Sequence, residues 1–250
     1  MPAEKTDAIV IRSVDWSETS LVLTLFTRDF GKVRGLAKGG RRLKGPFEAA
    51  LDLLGLCRIV FLRKSSDALD LLTEAKLVRR FRPAGRNLSS LYAGYYVAEL
   101  LDGLTDDYDP HRDLFELADE TLLALSSGEP VVRWTLRFEL CALRILGHLP
   151  SLDRCVECGV EVAPAGRVAF GQLDGGVLCA RCRQGKQQVV LVSGGALRVL
   201  AQLAQPGGQI WRRMEIEPAR LGEVRGLVNR YLCNLLGRKP RLHEYLGLPG

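Results

Sequence analysis

The sequence has few of the residues on which most hydrolytic enzymes depend. It contains only three histidines and two methionines in 250 residues. His111, His148 and His243 are scattered, so none falls in the H-E-x-x-H or H-x-E spacing typical of zinc proteases and deaminases. A Gly-x4-Gly-Lys-Ser/Thr loop is also missing, so we do not expect the chain itself to use ATP. These absences favour a protein that is not an enzyme.

Long hydrophobic runs are missing as well. No unbroken apolar stretch approaches the ~18 residues that would predict a membrane-spanning helix, so no membrane association is expected. The first residues lack a basic segment followed by an apolar one, so no secretion signal is expected either. We therefore expect a cytoplasmic protein, in which the seven cysteines serve as thiols or metal ligands rather than as disulfides.

What the chain has in excess is positive charge, and that charge is unevenly placed. The formal net charge is +6, with 47% hydrophobic and 26% charged residues, as in an ordinary globular protein. Residues 1–86 carry 17 basic and 10 acidic side chains, residues 87–150 carry 4 and 11, and residues 151–250 carry 14 and 8. We expect a polyanion to bind the basic ends and to avoid the acidic middle.

The strongest cluster of cations lies in residues 26–45, which hold seven Lys and Arg against the single acid Asp29. Such a segment cannot neutralise itself through neighbouring pairs, so it is either a solvated loop or a binding site for nucleic acid. We favour nucleic acid. Trp16 is the best candidate for stacking on a base. The candidate phosphate ligands are Lys32, Arg34, Lys38, Arg41, Arg42 and Lys44.

The pattern of apolar residues predicts an α+β protein. Five short runs rich in strand-forming residues, at 8–11, 20–27, 31–37, 51–62 and 69–78, predict a small oligonucleotide-binding (OB) barrel over residues 1–82. Pro83 and Gly85 mark the boundary. Helical spacing then predicts a helical domain over residues 83–250, with its first helix capped near Asn87 and its last ending at Gly237.

Two Cys-x2-Cys pairs interrupt the helical region. Twenty residues separate Cys158 from Cys179, and this spacing predicts a structural zinc site made of Cys155, Cys158, Cys179 and Cys182. Four thiolates complete a tetrahedral shell and leave no position for a substrate water. We place this zinc-ribbon-like insert at residues 151–186. Two disulfides or four idle thiols are the alternatives.

An acidic cluster keeps a different function open. Asp102, Asp106, Asp107 and Asp109 could bind Mg²⁺ as in a nuclease, or could form a solvated helix end and loop. A zinc-ribbon transcription or translation factor is a second alternative, because it too would bind nucleic acid. Strong sequence preference would favour the factor, and metal-dependent cleavage would favour the nuclease.

Several segments together resemble a known family. They are residues 9–31 (IVIRSVDWSETSLVLTLFTRDFG), residues 36–42 (LAKGGRR), the two cysteine pairs, and the tail formed by residues 224–232 (VRGLVNRYL) and 236–242 (LGRKPRL). In this order they resemble the RecO family of bacterial DNA repair proteins, and the resemblance spans most of the chain.

The resemblance implies an N-terminal OB barrel, a helical C-terminal region and a zinc knot. It also implies a non-catalytic recombination mediator that binds single- and double-stranded DNA and anneals complementary strands. The implied partners are RecR, in some cases RecF, and the C-terminal tail of single-stranded DNA-binding protein (SSB). With them, such a protein helps to load RecA onto SSB-coated DNA in the bacterial cytoplasm, at the nucleoid.

Overall fold

The computed structural model describes residues 3–42, 45–47, 50–64 and 68–246, apart from the side chain of Arg86. The chain divides into two compact units, Met1–Val131 and Val132–Gly250. The first unit therefore contains two helices beyond the expected boundary at residue 82. The reason is that these helices pack on the barrel and form ion pairs with it.

Five strands close into a barrel with the order β1-β2-β3-β5-β4, which is the arrangement of an OB fold. The parallel pair between β3 and β5 is short and matches Gly35 with Asp70 and Ala37 with Leu72. The five predicted strands are confirmed, although β1 is longer at both ends and β4 begins five residues later than expected. Their bounds are β1 Ala3–Asp15, β2 Leu21–Thr27, β3 Gly31–Ala37, β4 Leu56–Leu62 and β5 Asp70–Arg79.

One face of each strand fills the barrel with apolar side chains. Val10, Leu25 and Val33 occupy one such inward row, because Val10 pairs with Leu25 and Leu25 with Val33. A bulge in β1 between Val10 and Arg12 shifts the register there. As a result, Arg12 lies on the outer side of the sheet even though it is two residues from the buried Val10.

Two helices cover part of the outer side of this barrel. They are α1, Leu88–Leu104, and α2, Arg112–Ser126. The predicted cap is confirmed, since the Asn87 side chain accepts a hydrogen bond from the backbone N–H of Ser89 at 2.9 Å. Phe26 of β2 stacks on Phe115 of α2 with ring centroids 6.4 Å apart. Arg28 and Arg79 of the barrel form ion pairs with Glu116 and Asp119 of α2.

The loop between α1 and α2 lies along the edge of β3. The backbone N–H of Tyr108 donates to the carbonyl of Lys32 at 2.9 Å, and Lys32 and Asp107 form a parallel bridge. A Cβ on Gly31 would fall 2.1 Å from the carbonyl oxygen of Asp109, so only glycine allows this approach. The loop therefore covers the part of β3 that lies before its pairing with β5.

Lys32 is buried beneath this loop. Its ammonium donates to the carbonyls of Asp102 at 2.7 Å and Thr105 at 2.6 Å, and its residue is 4% exposed. These carbonyls lie at the C-terminal end of α1, where a cation is favoured by the helix dipole. The expectation that Lys32 contacts DNA therefore needs correction, because its charge is used inside the protein.

The second unit combines helices with a small sheet of order β7-β6-β8. The last long helix, α6, ends as expected, since Gly237 adopts the left-handed conformation with φ of 66°. No helix among the described residues is long and apolar enough to cross a membrane. The elements are α3 Val131–Ile145, β6 Arg167–Gly171, β7 Gly176–Leu178, β8 Val189–Ser193, α4 Gly194–Ala204, α5 Ile210–Arg213, α6 Pro218–Leu236 and a 3₁₀ turn His243–Leu246.

A buried ion pair joins α3 to α6. Arg225 donates to the Glu139 carboxylate at 2.5 Å, and the two side chains are 1% and 0% exposed. His243, in the 3₁₀ turn, lies 2.9 Å from the same guanidinium. Burial and the neighbouring Arg225 charge hold the pKa of His243 below its usual value, which keeps the imidazole neutral. Three elements of the second unit are thereby held around one guanidinium.

Lys32→Met should destabilise the first unit without removing a binding group. The carbonyls of Asp102 and Thr105 would stay buried and lose their donor, so we expect the free energy of unfolding to fall by about 1–3 kcal/mol. Urea unfolding measures this. Lys38→Met, at an exposed position in the next turn, is the matched control and should change stability by less than about 0.5 kcal/mol. Equal effects of the two variants would contradict the structural role of Lys32.

Candidate nucleic-acid interface and metal centre

The outer side of β1, β2 and β3 carries two rows of residues that the helices leave accessible. In one row Arg12 pairs with Thr24, and Thr24 pairs with Arg34. Both arginines are exposed and Thr24 is buried between them. The adjacent row joins Val14, Val22 and Leu36, of which Val14 is 46% exposed. An apolar strip therefore lies beside a pair of cations.

The turn between β1 and β2 carries the most exposed aromatic side chain of the barrel. Trp16 is 68% exposed, whereas Trp134 and Trp211 are only 2% and 3% exposed. The turn is ordered by its own hydrogen bonds, because the N–H of Trp16 donates to the carbonyl of Ser20 at 3.0 Å and the Ser17 hydroxyl accepts from the N–H of Ser20 at 3.2 Å. An indole presented on a fixed turn is a suitable surface for a planar ligand.

The glycine-containing loop after β3 is held against this turn. The N–H of Arg41 donates to the carbonyl of Thr19 at 3.0 Å, and that of Arg42 to the carbonyl of Gly39 at 3.0 Å. Gly39 has a φ of 77°, a conformation that favours glycine. Residues 38–42 therefore form hydrogen-bonded turns after β3 rather than the loose segment that their composition suggests.

Turn and loop enclose a shallow cleft of about 400 Å³. The structure thus brings together three of the predicted site residues from different parts of the sequence, namely Trp16, Lys38 and Arg42. The lining is completed by small polar residues and one apolar side chain, and the full set is Trp16, Ser17, Thr19, Ser20, Leu36, Lys38, Gly39 and Arg42. We call this cleft, together with the two outer rows described above and with Arg41, whose N–H donates to Thr19 of the lining, the open face.

The predicted cations differ in how their charge is used. Arg34 pairs with Asp107 at 3.1 Å, and Arg41 pairs with Asp15 at 3.3 Å. Within the described part of the chain, Lys38 and Arg42 are exposed and form no ion pair. Lys44 lies outside the described residues. Counting only described residues, Lys38 and Arg42 have no acidic partner, whereas Arg34 and Arg41 each have one.

Arg12 is a member of the open face that sequence reasoning missed. It is exposed and forms no ion pair with a described residue, and it shares a row with Arg34. The expected first strand stopped at residue 11, so Arg12 appeared to lie beyond it. Strict alternation from the buried Val10 would have placed Arg12 inside the barrel, and only the bulge between these residues turns it outward.

Three carboxylates of the acidic cluster between α1 and α2 contact basic side chains of the protein itself. Asp102 and Asp107 approach the Lys32 ammonium at 3.6 and 3.8 Å, and Asp109 contacts His111 at 2.8 Å. Among the residues that the structure describes, the only group of three or more potential metal ligands is the cysteine quartet. The nuclease alternative therefore has no assembled metal site in the described chain.

The four predicted metal ligands converge in the second unit. The sulfur atoms of Cys155, Cys158, Cys179 and Cys182 all lie within 4.8 Å of one another, and those of Cys158 and Cys179 are 3.9 Å apart. Zn–S bonds of about 2.3 Å in a tetrahedron would place sulfurs roughly 3.8 Å apart. None of the seven cysteines forms a disulfide. Four thiols at this separation could hold one metal ion.

Backbone N–H groups prepare the cysteines for the thiolate state that metal binding requires. Burial acts to raise the pKa of Cys155, but N–H groups of Cys179, Cys158 and Glu157 outweigh it and lower the pKa to about 6. The N–H of Cys182 donates to the Cys179 sulfur at 3.4 Å and lowers the pKa of Cys179. Cys182, facing neighbouring sulfurs, has its pKa raised to about 12. A cation would be needed to hold all four as thiolates together.

The two cysteine loops are also joined away from the sulfurs. The N–H of Val156 donates to the carbonyl of Val177 at 3.0 Å, so the first loop is attached to β7. Lys186 follows the second loop and pairs with Glu157 at 2.5 Å and Asp174 at 2.6 Å. These contacts hold the two cysteine loops together and so position the four cysteines.

Family models match nearly the whole chain. The model described as the N terminal part of recombination protein O matches residues 1–81, and the C terminal model matches residues 85–244. These two matches meet close to the boundary expected from the sequence.

Individual relatives match over their full length. A protein of Rhodopirellula baltica is 42% identical over 96% of this chain and 97% of its own. Relatives from Anaeromyxobacter dehalogenans strain 2CP-1 and Myxococcus xanthus are 33% and 34% identical, each over 98% of this chain and 96% and 97% of their own. Each of the three is named DNA repair protein RecO. With an OB barrel, a helical second unit and a cysteine quartet in the expected order, the chain belongs to the RecO family.

Proposed function

We propose that this protein is a recombination mediator that binds single- and double-stranded DNA through the open face and anneals complementary strands without catalysing a chemical step. The observation that carries the proposal is the grouping of the exposed Trp16 with Lys38 and Arg42 around one cleft of the barrel. OB barrels bind oligonucleotides with the face of strands 2 and 3 and with the loop between strands 1 and 2, which here is the turn that carries Trp16. Family membership supports a role in DNA repair and recombination.

The open face suits a nucleic acid bound without regard to sequence. Cations at Arg12, Lys38 and Arg42 can neutralise phosphates, and counterion release makes such contacts favourable whatever the bases are. Trp16 and the strip of Val14 and Leu36 offer apolar surface to a base, and stacking on an aromatic side chain is tolerant of base identity. Annealing requires this combination, because phosphate repulsion must be reduced while the pairing edges of the bases stay accessible.

The partners follow from the family. We propose that the protein works with RecR, and in some cases RecF, to load RecA onto SSB-coated strands, and that it contacts the C-terminal tail of SSB. The proposed location is the bacterial cytoplasm, at the nucleoid. A sequence-specific transcription or translation factor is less well supported, because the open face presents scattered cations and one indole rather than a set of side chains that read base edges.

We propose that the cysteine quartet holds structural zinc. Thiolates are preferred ligands of this ion, and four of them leave no open coordination position for catalysis. The two pairs of cysteines, in the loop after α3 and in the loop after β7, would hold the ion together, and its charge would balance that of the thiolates. Cys155 and Cys158 would supply one half of the shell, and Cys179 and Cys182 the other.

Reversing the charges of Lys38 and Arg42 should weaken DNA binding and annealing together. Lys38→Glu with Arg42→Glu removes two phosphate contacts, so we expect at least about tenfold weaker binding of an oligothymidylate and a salt slope smaller by about 1.4. Fluorescence anisotropy over a series of salt concentrations measures both. Annealing of SSB-coated complementary strands, with and without RecR, should decline in parallel.

Lys76→Glu combined with Lys5→Glu is the matched control for this double variant. Both lysines are exposed on strands of the same barrel and do not line the cleft. The control changes net charge equally and should retain most of the affinity and the annealing. If the control and the loop variant lose affinity alike, DNA does not bind through the cleft.

Trp16 should report directly on bound bases. Because Trp134 and Trp211 are buried, quenching of tryptophan fluorescence by oligothymidylate should come from Trp16 and should disappear in Trp16→Phe. Trp16→Ala should cost about 1–3 kcal/mol of binding free energy to single strands. Persistence of the quenching in Trp16→Phe would place the bound bases elsewhere.

Removing one ligand should release the metal and weaken the second unit. We expect about one zinc per chain in the purified protein, since four thiolates complete one shell. Cys179→Ser should lose the zinc and lower the thermal stability, because metal binding is coupled to folding. Elemental analysis and thermal unfolding measure these changes. Cys233→Ser, outside the quartet, should keep both properties. A metal-free protein of unchanged stability would argue against a structural zinc.

A further inference from the structure

Two arginines of the open face are already paired with carboxylates of their own unit. Asp107 contacts the Nε of Arg34 at 3.1 Å, and Asp15 contacts an NH group of Arg41 at 3.3 Å. All four side chains are at least 41% exposed. Such exposed ion pairs are weak and can be broken by a competing anion.

Asp107 is held at this place by backbone contacts. The bridge between Lys32 and Asp107 and the bond from the N–H of Tyr108 to the carbonyl of Lys32 fix the loop along β3. Asp107 is not the main partner of Lys32, because the Lys32 ammonium has two carbonyls within 2.7 Å and Asp107 at 3.8 Å. Its shortest ionic contact is therefore with Arg34, on the surface where DNA is proposed to bind.

Asp15 has an equivalent place at the opposite end of the open face. It is the last residue of β1, directly before Trp16, and its partner Arg41 also donates to the carbonyl of Ser17 at 3.2 Å. Arg41 is therefore positioned by the turn and neutralised by the residue next to the stacking side chain. A carboxylate and a phosphate offer the same paired oxygens to a guanidinium, so each can replace the other.

We propose that Asp107 and Asp15 are internal competitors of the DNA backbone, which occupy Arg34 and Arg41 and must be displaced by phosphates of a single strand. The inference rests on the proposed function and deepens it. A displaced carboxylate takes up a cation from solution, and this offsets the counterion that the DNA releases. The competitor then recaptures its arginine when the phosphate leaves. The two competing carboxylates lower the affinity for DNA and speed its release. A protein that anneals one strand to another requires such release.

The test compares two neighbouring acids, of which Asp107 contacts Arg34 at 3.1 Å and Lys32 at 3.8 Å. Asp107→Asn removes the competitor of Arg34, whereas Asp106→Asn removes an equal charge one residue earlier. Asp106 is exposed and forms no ion pair with any residue that the structure describes. We expect Asp107→Asn to bind oligothymidylate about two- to fivefold more tightly than Asp106→Asn. The salt slope should also steepen by about 0.7, because the variant has no displaced carboxylate to take up a cation and offset the counterion released from one phosphate.

The Arg34→Gln variant tests whether the gain in affinity for oligothymidylate depends on this arginine. In the Arg34→Gln background, Asp107→Asn should give no tighter binding than Asp106→Asn. Asp15→Asn with Glu18→Gln as its control forms an independent pair at the other end, since Glu18 is exposed and without an ion pair in the described chain. This second pair also keeps the proposal testable if Asp107→Asn is unstable.

The possible outcomes distinguish failure of the competitor proposal from failure of the proposed function. If the unmodified protein binds oligothymidylate but each acid and its control change the affinity equally, only net charge matters and the competitor proposal is overturned. If the unmodified protein does not bind at all, the proposed function fails, and the competitor proposal with it. Tighter binding that survives in the Arg34→Gln background also overturns the role of Asp107.

Discussion

Closure of the five-stranded barrel is the constraint on which the first unit depends. The short parallel pairing of β3 with β5 completes the ring, and each strand then has one side inside and one side outside. Side chains alternate along a strand, so closing the ring determines for each residue whether its side chain faces the core or the outer side. Val33 goes to the core, while its neighbours Lys32 and Arg34 go to the outer side. Basic side chains that are clustered in residues 26–45 therefore lie in different environments, some buried and some exposed.

Covering helices then divide the outer side. Where α1, α2 and their connecting loop lie on the barrel, Phe26 is buried against Phe115, and the Lys32 ammonium is buried and hydrogen-bonded. Beyond that cover, Arg12, Arg34 and the strip that includes Val14 remain accessible. The acidic middle of the sequence contributes here in a specific way. Asp102, Asp107, Glu116 and Asp119 pair with cations of the same unit, so part of the charge asymmetry is neutralised within the fold.

The second unit depends on groups that are costly to leave unpaired. The buried Arg225 is matched by Glu139, and removing one partner of such a pair typically costs about 3–5 kcal/mol. The cysteine quartet likewise needs an opposite charge, because four thiolates close together require a cation. Both arrangements fix local geometry, since one joins α3 to α6 and the other brings two loops of the second unit together.

The sequence by itself determined the family, the five strands, the caps at Asn87 and Gly237 and the grouping of four cysteines, because each depends on local periodicity or on short spacing. It also indicated Trp16, Lys38 and Arg42 correctly as surface residues of one region, although their role in DNA binding stays a prediction. Only the tertiary structure decided that Lys32 is buried, that Arg12 belongs to the open face, and that Arg34 and Arg41 have acidic partners. The physical reason is that the environment of a charge is set by residues distant in sequence: Asp107 is 73 positions from Arg34, and nothing in either segment alone specifies their contact.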